Sequence, residues 1–150
     1  MSDRHVVTAA HCIGSKTKPA KLKVAIGFTS LAVSNKATSF VLDVAAIKRH
    51  PDYDVYTLAN DIAVLELQRP VDLTAHPNIK PICLPASGAT YTGFSGTVSG
   101  WGTLEAEGPS TAHLQKIHVE VFADGDCGNA TDQRMTSDMI CAGVNRGRSR

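Results

Sequence analysis

Apolar residues in this chain recur at every second position far more often than at every third or fourth. Leu22, Val24 and Ile26 stand between Lys21, Lys23 and Ala25, and Ile117, Val119 and Val121 alternate with His118 and Glu120. A period of two sends successive side chains to opposite faces of a pleated backbone, so both segments read as half-buried β-strands. Two other runs are more continuously apolar: residues 40–47, interrupted by Asp43, and residues 62–67. Nearly unbroken Val, Leu and Ile is the pattern of a strand covered on both faces. Gly and Pro punctuate the gaps, and there is no internal repeat, low-complexity tract or long amphipathic helix. One short helix is expected over residues 123–130. The pattern predicts an all-β fold.

The most informative chemistry lies in residues 6–12, V-V-T-A-A-H-C. A β-branched run ends in two alanines and delivers His11 beside Cys12. A histidine acting as general base needs one ring nitrogen aimed at the reacting group and the other held by a partner. Ala9 and Ala10 add little bulk, so backbone can close around His11. His5, His50, His76, His113 and His118 read by default as surface or satisfied core residues. Asp61 stands at the mouth of the 62–67 run, where a carboxylate needs hydrogen-bond donors to offset desolvation. An imidazole N–H is a suitable donor; a turn aspartate that starts a strand is the plainer alternative.

Charge and length narrow the function classes. Fifteen basic and fourteen acidic side chains leave a formal charge of +1 across 150 residues, with no basic run. Neither nucleic acid nor an anionic membrane is an expected partner. The opening M-S-D-R-H-V-V carries no apolar stretch of the secretory kind, and no run approaches the roughly 18 apolar residues of a membrane span. Four cysteines, Cys12, Cys83, Cys127 and Cys141, allow three pairings that the residues alone do not rank. Neither C-x-x-C nor H-x-x-x-H spacing occurs, so no metal site and no cofactor are expected. Asn129-Ala130-Thr131 is an acceptor sequon for N-linked sugar, relevant only in a secreted protein.

Five runs in one order change the picture: residues 6–12, N-D-I-A-V-L at 60–65, P-I-C-L-P at 81–85, G-T-V-S-G-W-G at 96–102 and M-I-C-A-G at 139–143. With them the chain resembles the chymotrypsin/trypsin family of serine endopeptidases from about Ser2 to about Gly147. The resemblance implies two six-stranded Greek-key β-barrels, both incomplete here: residues 1–72 as the remainder of the first, 73–89 as the crossing, and 90–150 as part of the second. It implies His11 as the catalytic base and Asp61 as the aspartate that orients it. It also implies a disulfide between Cys127 and Cys141. The counterpart of Cys12 pairs in the family with a cysteine upstream of residue 1, and that of Cys83 holds a propeptide or light chain in two-chain relatives. Both are expected to be unpaired or mispaired.

The family's nucleophile is a serine in a G-D-S-G-G context downstream of the Cys141 segment, and these 150 residues contain no such run. Ser149 lacks the flanking glycines, and Ser99 has no G-x-S-x-G elbow and a structural place in the family. The oxyanion donors belong to the same missing segment. The expectation is therefore a serine endopeptidase by family, working on protein or peptide substrates outside the cell, with this stretch inactive alone. The stretch 27–40, which carries a calcium loop in several relatives, holds Ser34, Asn35 and Lys36 but no Asp or Glu, so no calcium site is expected. Two other classes compete: a protease-like binding protein without catalysis, and a cytosolic thiol or metal protein with four free thiols. Nothing in the residues fixes oligomeric state or cleavage specificity.

Overall fold

The computed structural model describes residues 2–32, 38–104, 107–127 and 135–144, apart from the side chain of Asp124. Its elements are β1 (His5–Thr8), a single 3-10 turn (Pro19–Lys21), β2 (Lys23–Ile26), β3 (Phe40–Arg49), β4 (Ala63–Leu67), β5 (Ser95–Gly100), β6 (Gln115–Phe122), α1 (Asp124–Cys127) and β7 (Cys141–Gly143). The chain divides into two compact units, Met1–Phe28 with Val33–Pro85, and Thr29–Ala32 with Ala86–Arg150.

The first unit is an antiparallel sheet in the order β1-β4-β3-β2. β4 is interior to the sheet, and its alternate residues Ala63, Leu65 and Leu67 are buried. The other face is only half-buried: Glu66 there meets Arg4 at 3.4 Å, and Ile62, just before the strand, is exposed. The 62–67 run is therefore covered fully on one face, not on both as its composition suggested. Asp43, the polar interruption in β3, faces outward and pairs with Lys23 directly opposite it on β2. A register shift between Val44 and Ala46 marks a bulge in β3, which bends the strand and increases its twist.

Two adjoining clusters form the core. Ala10, Ile13, Val44, Ala63 and Leu65 make one, with Tyr53 packed on it; Leu42, Leu67 and Val71 make the other, with Leu73 and Ile79 packed on it. The sheet curls so that β1 and β2, at its two edges, line one groove of about 400 Å³ with Val71 and Ile79. The chain turns from β2 at Gly27, where φ is +78° and a Cβ would stand 2.0 Å from the Thr38 carbonyl oxygen. Only glycine fits both the left-handed backbone and that close approach.

The second unit holds a sheet in the order β5-β6-β7. Thr29–Ala32 joins this unit, with Ser30 bridging His113 and mutual backbone bonds from Leu31 to Ala112 and from Leu114 to Thr29. Here the alternation expected in 117–121 is only partly realised. Val119 and Val121 are half-buried, but so is Glu120, while Ile117 is 48% exposed. Its cross-strand partner Val98 is 55% exposed. Burial needs a second apolar layer, and Cys141 is the one fully buried residue of this unit among those described. The helix expected over 123–130 is a single turn ending at Cys127, with residues 128–130 outside the described set.

Candidate active site

Strand pairing explains why two residues fifty positions apart meet. Thr8 at the end of β1 lies opposite Ala63 at the start of β4, so the segments just beyond these two residues leave the sheet at the same end. One carries His11 and the other Asp61. The His11 ring Nδ1 lies 2.5 Å from Asp61 Oδ2, and the His11 backbone N–H donates to Asp61 Oδ1 at 2.8 Å. Ala10, just before His11, is fully buried. A larger side chain at position 10 would hold the two segments apart.

Each arm is pinned by its own local bonds. After Ala10 the chain turns, with Ile13 N–H donating to the Ala10 carbonyl, and Ile13 plugs the core. Arg49 of β3 then donates from Nε to the Ile13 carbonyl at 3.1 Å and from Nη2 to the Gly14 carbonyl at 2.5 Å. On the other arm, Ile62 N–H donates to the Asn60 carbonyl at 2.7 Å, closing a tight turn around Asp61. Leu58 and Asn60 both have φ of +56°. Asparagine tolerates that conformation, whereas for leucine it costs about 1–2 kcal/mol. Asn60 Nδ2 donates to the Asp52 carbonyl, and Asp54 Oδ1 caps the Tyr56 and Thr57 N–H groups.

The electrostatics follow from these contacts. The His11 ring hydrogen bond holds the Asp61 carboxyl below its ordinary value, outweighing the opposing effect of desolvation; the His11 N–H, the His11 charge and the Ala10 N–H add to it. Tyr53 is pushed up, first by desolvation and then by the charges of Asp61, Asp54 and Cys12. Its hydroxyl is buried without a hydrogen-bond partner among the described residues. An ionised carboxylate can only accept, so Nδ1 of His11 carries the proton. Nε2 of the neutral ring then carries a lone pair, on a side chain 55% exposed. That is the arrangement a general base requires.

Because the carboxyl of Asp61 is lowered on folding, the stability it contributes is fully present above its ordinary value of 3.8 and is lost as pH falls through the lowered one. Comparing urea unfolding of the chain with that of Asp61→Asn at pH 6 and near pH 2 checks this. The difference between the two proteins is expected to shrink at the acid end.

The trypsin family model matches residues 1–150. The chain belongs to the trypsin family. It is 31% identical over 147 residues to trypsin-1 of Salmo salar, covering 98% of this chain and 57% of that protein. Duodenase-1 of Bos taurus is 37% identical over 139 residues, 92% of this chain and 52% of its own length. Trypsin-1 of Astacus astacus is 35% identical over 150 residues, 97% of this chain and 61% of its own. The chain thus spans little more than half the length of these relatives. Its fold is the all-β fold of the trypsin family with incomplete barrels.

The remaining sequence-derived positions distribute as follows. Cys127 and Cys141 form a disulfide with Cα atoms 5.7 Å apart, while Cys12 and Cys83 are free and exposed. Ser99 sits exposed on β5 opposite Lys116. Asn129, Ser149, Ser34, Asn35 and Lys36 lie outside the described residues. Among the described residues no group of three His, Cys, Asp or Glu is placed to hold a metal ion, and no helix is long and apolar enough to cross a membrane. Sequence reasoning missed Arg49, whose grip on two carbonyls has no side-chain signature, and Tyr53. It also missed the approach of Cys12 Sγ to His11 Nε2, 3.4 Å, which only the adjacency of the two residues hinted at.

Proposed function

We propose that these residues are the part of a serine endopeptidase domain that supplies the proton-handling dyad, with His11 as general base and Asp61 as the group that fixes its tautomer and stabilises the imidazolium. The observation that carries this reading is the doubly bonded contact between His11 and Asp61 in a chain of the trypsin family. In the full reaction His11 Nε2 takes the proton of a serine hydroxyl as it attacks the peptide carbonyl, then returns it to the departing amine. The serine and the backbone N–H groups that stabilise the oxyanion come from a segment that residues 1–150 do not contain.

On this reading residues 1–72 and 90–150 are the two partial barrels, joined by the crossing at 73–89. The substrate is a protein or peptide, and the Cys127–Cys141 bridge suits an oxidising, extracellular setting. The 150 residues alone are inactive. Incubating them with an activated peptide ester and an active-site phosphonate checks this: neither ester turnover nor phosphonate labelling is expected. Turnover together with stoichiometric labelling would mean that a nucleophile exists within this stretch, and the assignment of roles would fall.

A further inference from the structure

We propose that Arg49 is a positioning residue for the general base: by gripping the turn that follows His11 it holds the imidazole against Asp61. The inference rests on the reading of His11 and Asp61 as the proton-handling dyad. Strand register puts Arg49 in place. Thr8 of β1 and Arg49 of β3 both lie directly opposite Ala63 of β4, so the three form one row at the end of the sheet from which the His11 and Asp61 segments depart. Directly opposed residues of antiparallel strands share a face, and here it is the core face, since Ala63 is 1% exposed. Ala63 adds only a methyl group to that row. The long side chain of Arg49 reaches the chain beyond β1 and donates from Nε to the Ile13 carbonyl at 3.1 Å and from Nη2 to the Gly14 carbonyl at 2.5 Å.

His11 and Cys12 are the exposed middle of a turn closed by the Ile13 N–H on the Ala10 carbonyl. Its near end is fixed by buried Ala10, and its far end is Ile13 followed by Gly14, where glycine has the most backbone freedom to lose. The Gly14 carbonyl accepts from Arg49 and also from the Thr17 N–H at 2.9 Å, which uses both of its lone pairs. A guanidinium suits this task. Its Nε–H and one Nη2–H are parallel and rigidly spaced, so together they fix the relative orientation of two consecutive carbonyls, whereas an ammonium is a point charge on a flexible stem. Among the described residues no carboxylate pairs with Arg49, and its described bonds go to this turn alone. With the turn held, the His11 N–H bond to Asp61 Oδ1 and the ring bond to Oδ2 are made together. Releasing the turn lets residues 12–14 swing, and a neutral imidazole away from its carboxylate distributes its proton over both nitrogens.

The test is a nitrogen NMR measurement of the His11 tautomer in the 150-residue chain labelled at histidine, at a pH where the imidazoles are neutral, with His11→Gln to assign the signals. The parent is expected to hold His11 almost wholly in the Nδ1–H form. Arg49→Met, which keeps the length and removes both donors, is expected to lower that fraction about twofold, and Arg49→Lys to an intermediate value. Val71→Ala, which thins the second core cluster of the same unit, is expected to leave the tautomer unchanged. That control separates positioning from lost stability, since a merely structural arginine would not move the tautomer of the folded protein. An unchanged Nδ1–H fraction in folded Arg49→Met overturns the proposal, and so does an equal loss in Val71→Ala. If Arg49→Met does not fold, Arg49→Lys decides by the same criterion. The measurement needs neither serine nor substrate, so the two readings fail differently. A parent without the Nδ1–H form removes the dyad and this inference with it, whereas an Arg49→Met that keeps the parent's Nδ1–H form removes this inference alone.

Discussion

In a polypeptide that continues from these 150 residues into a serine-bearing segment of the trypsin family's type, His11→Ala is expected to lower kcat about 10⁶-fold with little change in KM. Without the imidazole nothing takes the serine proton at the moment of attack, and nothing delivers one to the departing amine. Asp61→Asn is expected to cost about 10⁴-fold. An asparagine amide near Nδ1 can present its N–H to the ring and leave Nε2 protonated, which blocks the lone pair the reaction needs. It also removes the charge that offsets the imidazolium. Steady-state kinetics on a peptide ester, with KM and kcat resolved, checks both. Rates within tenfold of the parent would show that His11 and Asp61 are held together for structural reasons only.

The second large effect concerns the core. Leu67 and Val44 are each 1% exposed, and Leu67 joins β4 to the second hydrophobic cluster while its backbone accepts from Arg4 Nε. Leu67→Ala is expected to destabilise the first unit by about 3 kcal/mol, part from lost burial and part from the cavity left behind. That core holds only eight fully buried apolar residues among those described, so such a loss is a large share of a typical domain's stability. The contrast is Val98→Ala in the second unit, where the side chain is more than half exposed and the expected change is below about 0.5 kcal/mol. Urea titrations followed by circular dichroism in the β-sheet region separate the two.

The strands were legible because a period of two needs only local residues to be seen. β2 and β4 fall within the runs that alternation and apolar continuity marked out, β3 runs two residues past its own, and the meeting of His11 with Asp61 was signalled by the motifs around them, N-D-I-A-V-L above all. What brings His11 to Asp61 was not. It depends on the register that sets Thr8 against Ala63, a long-range pairing that no local pattern encodes. Arg49 and Gly27 were invisible for a related reason, since one acts on backbone carbonyls of a distant loop and the other avoids a clash with the Thr38 carbonyl. Ile117 was misread because alternation records which face a residue can present, whereas burial depends on whether anything lies over that face.

The membership of Thr29–Ala32 in the second unit has a consequence for synthesis on the ribosome. Ser30 emerges about eighty residues before His113, its bridging partner, which at ordinary elongation rates is a delay of roughly 4–16 s. During that interval the first unit can already close on either side of it, while this short stretch, with Leu31 outward, stays unpaired. A nascent chain of this family member therefore carries a short segment that waits for its partner, and chaperone capture or premature pairing with another chain is expected to concentrate there before the second unit arrives.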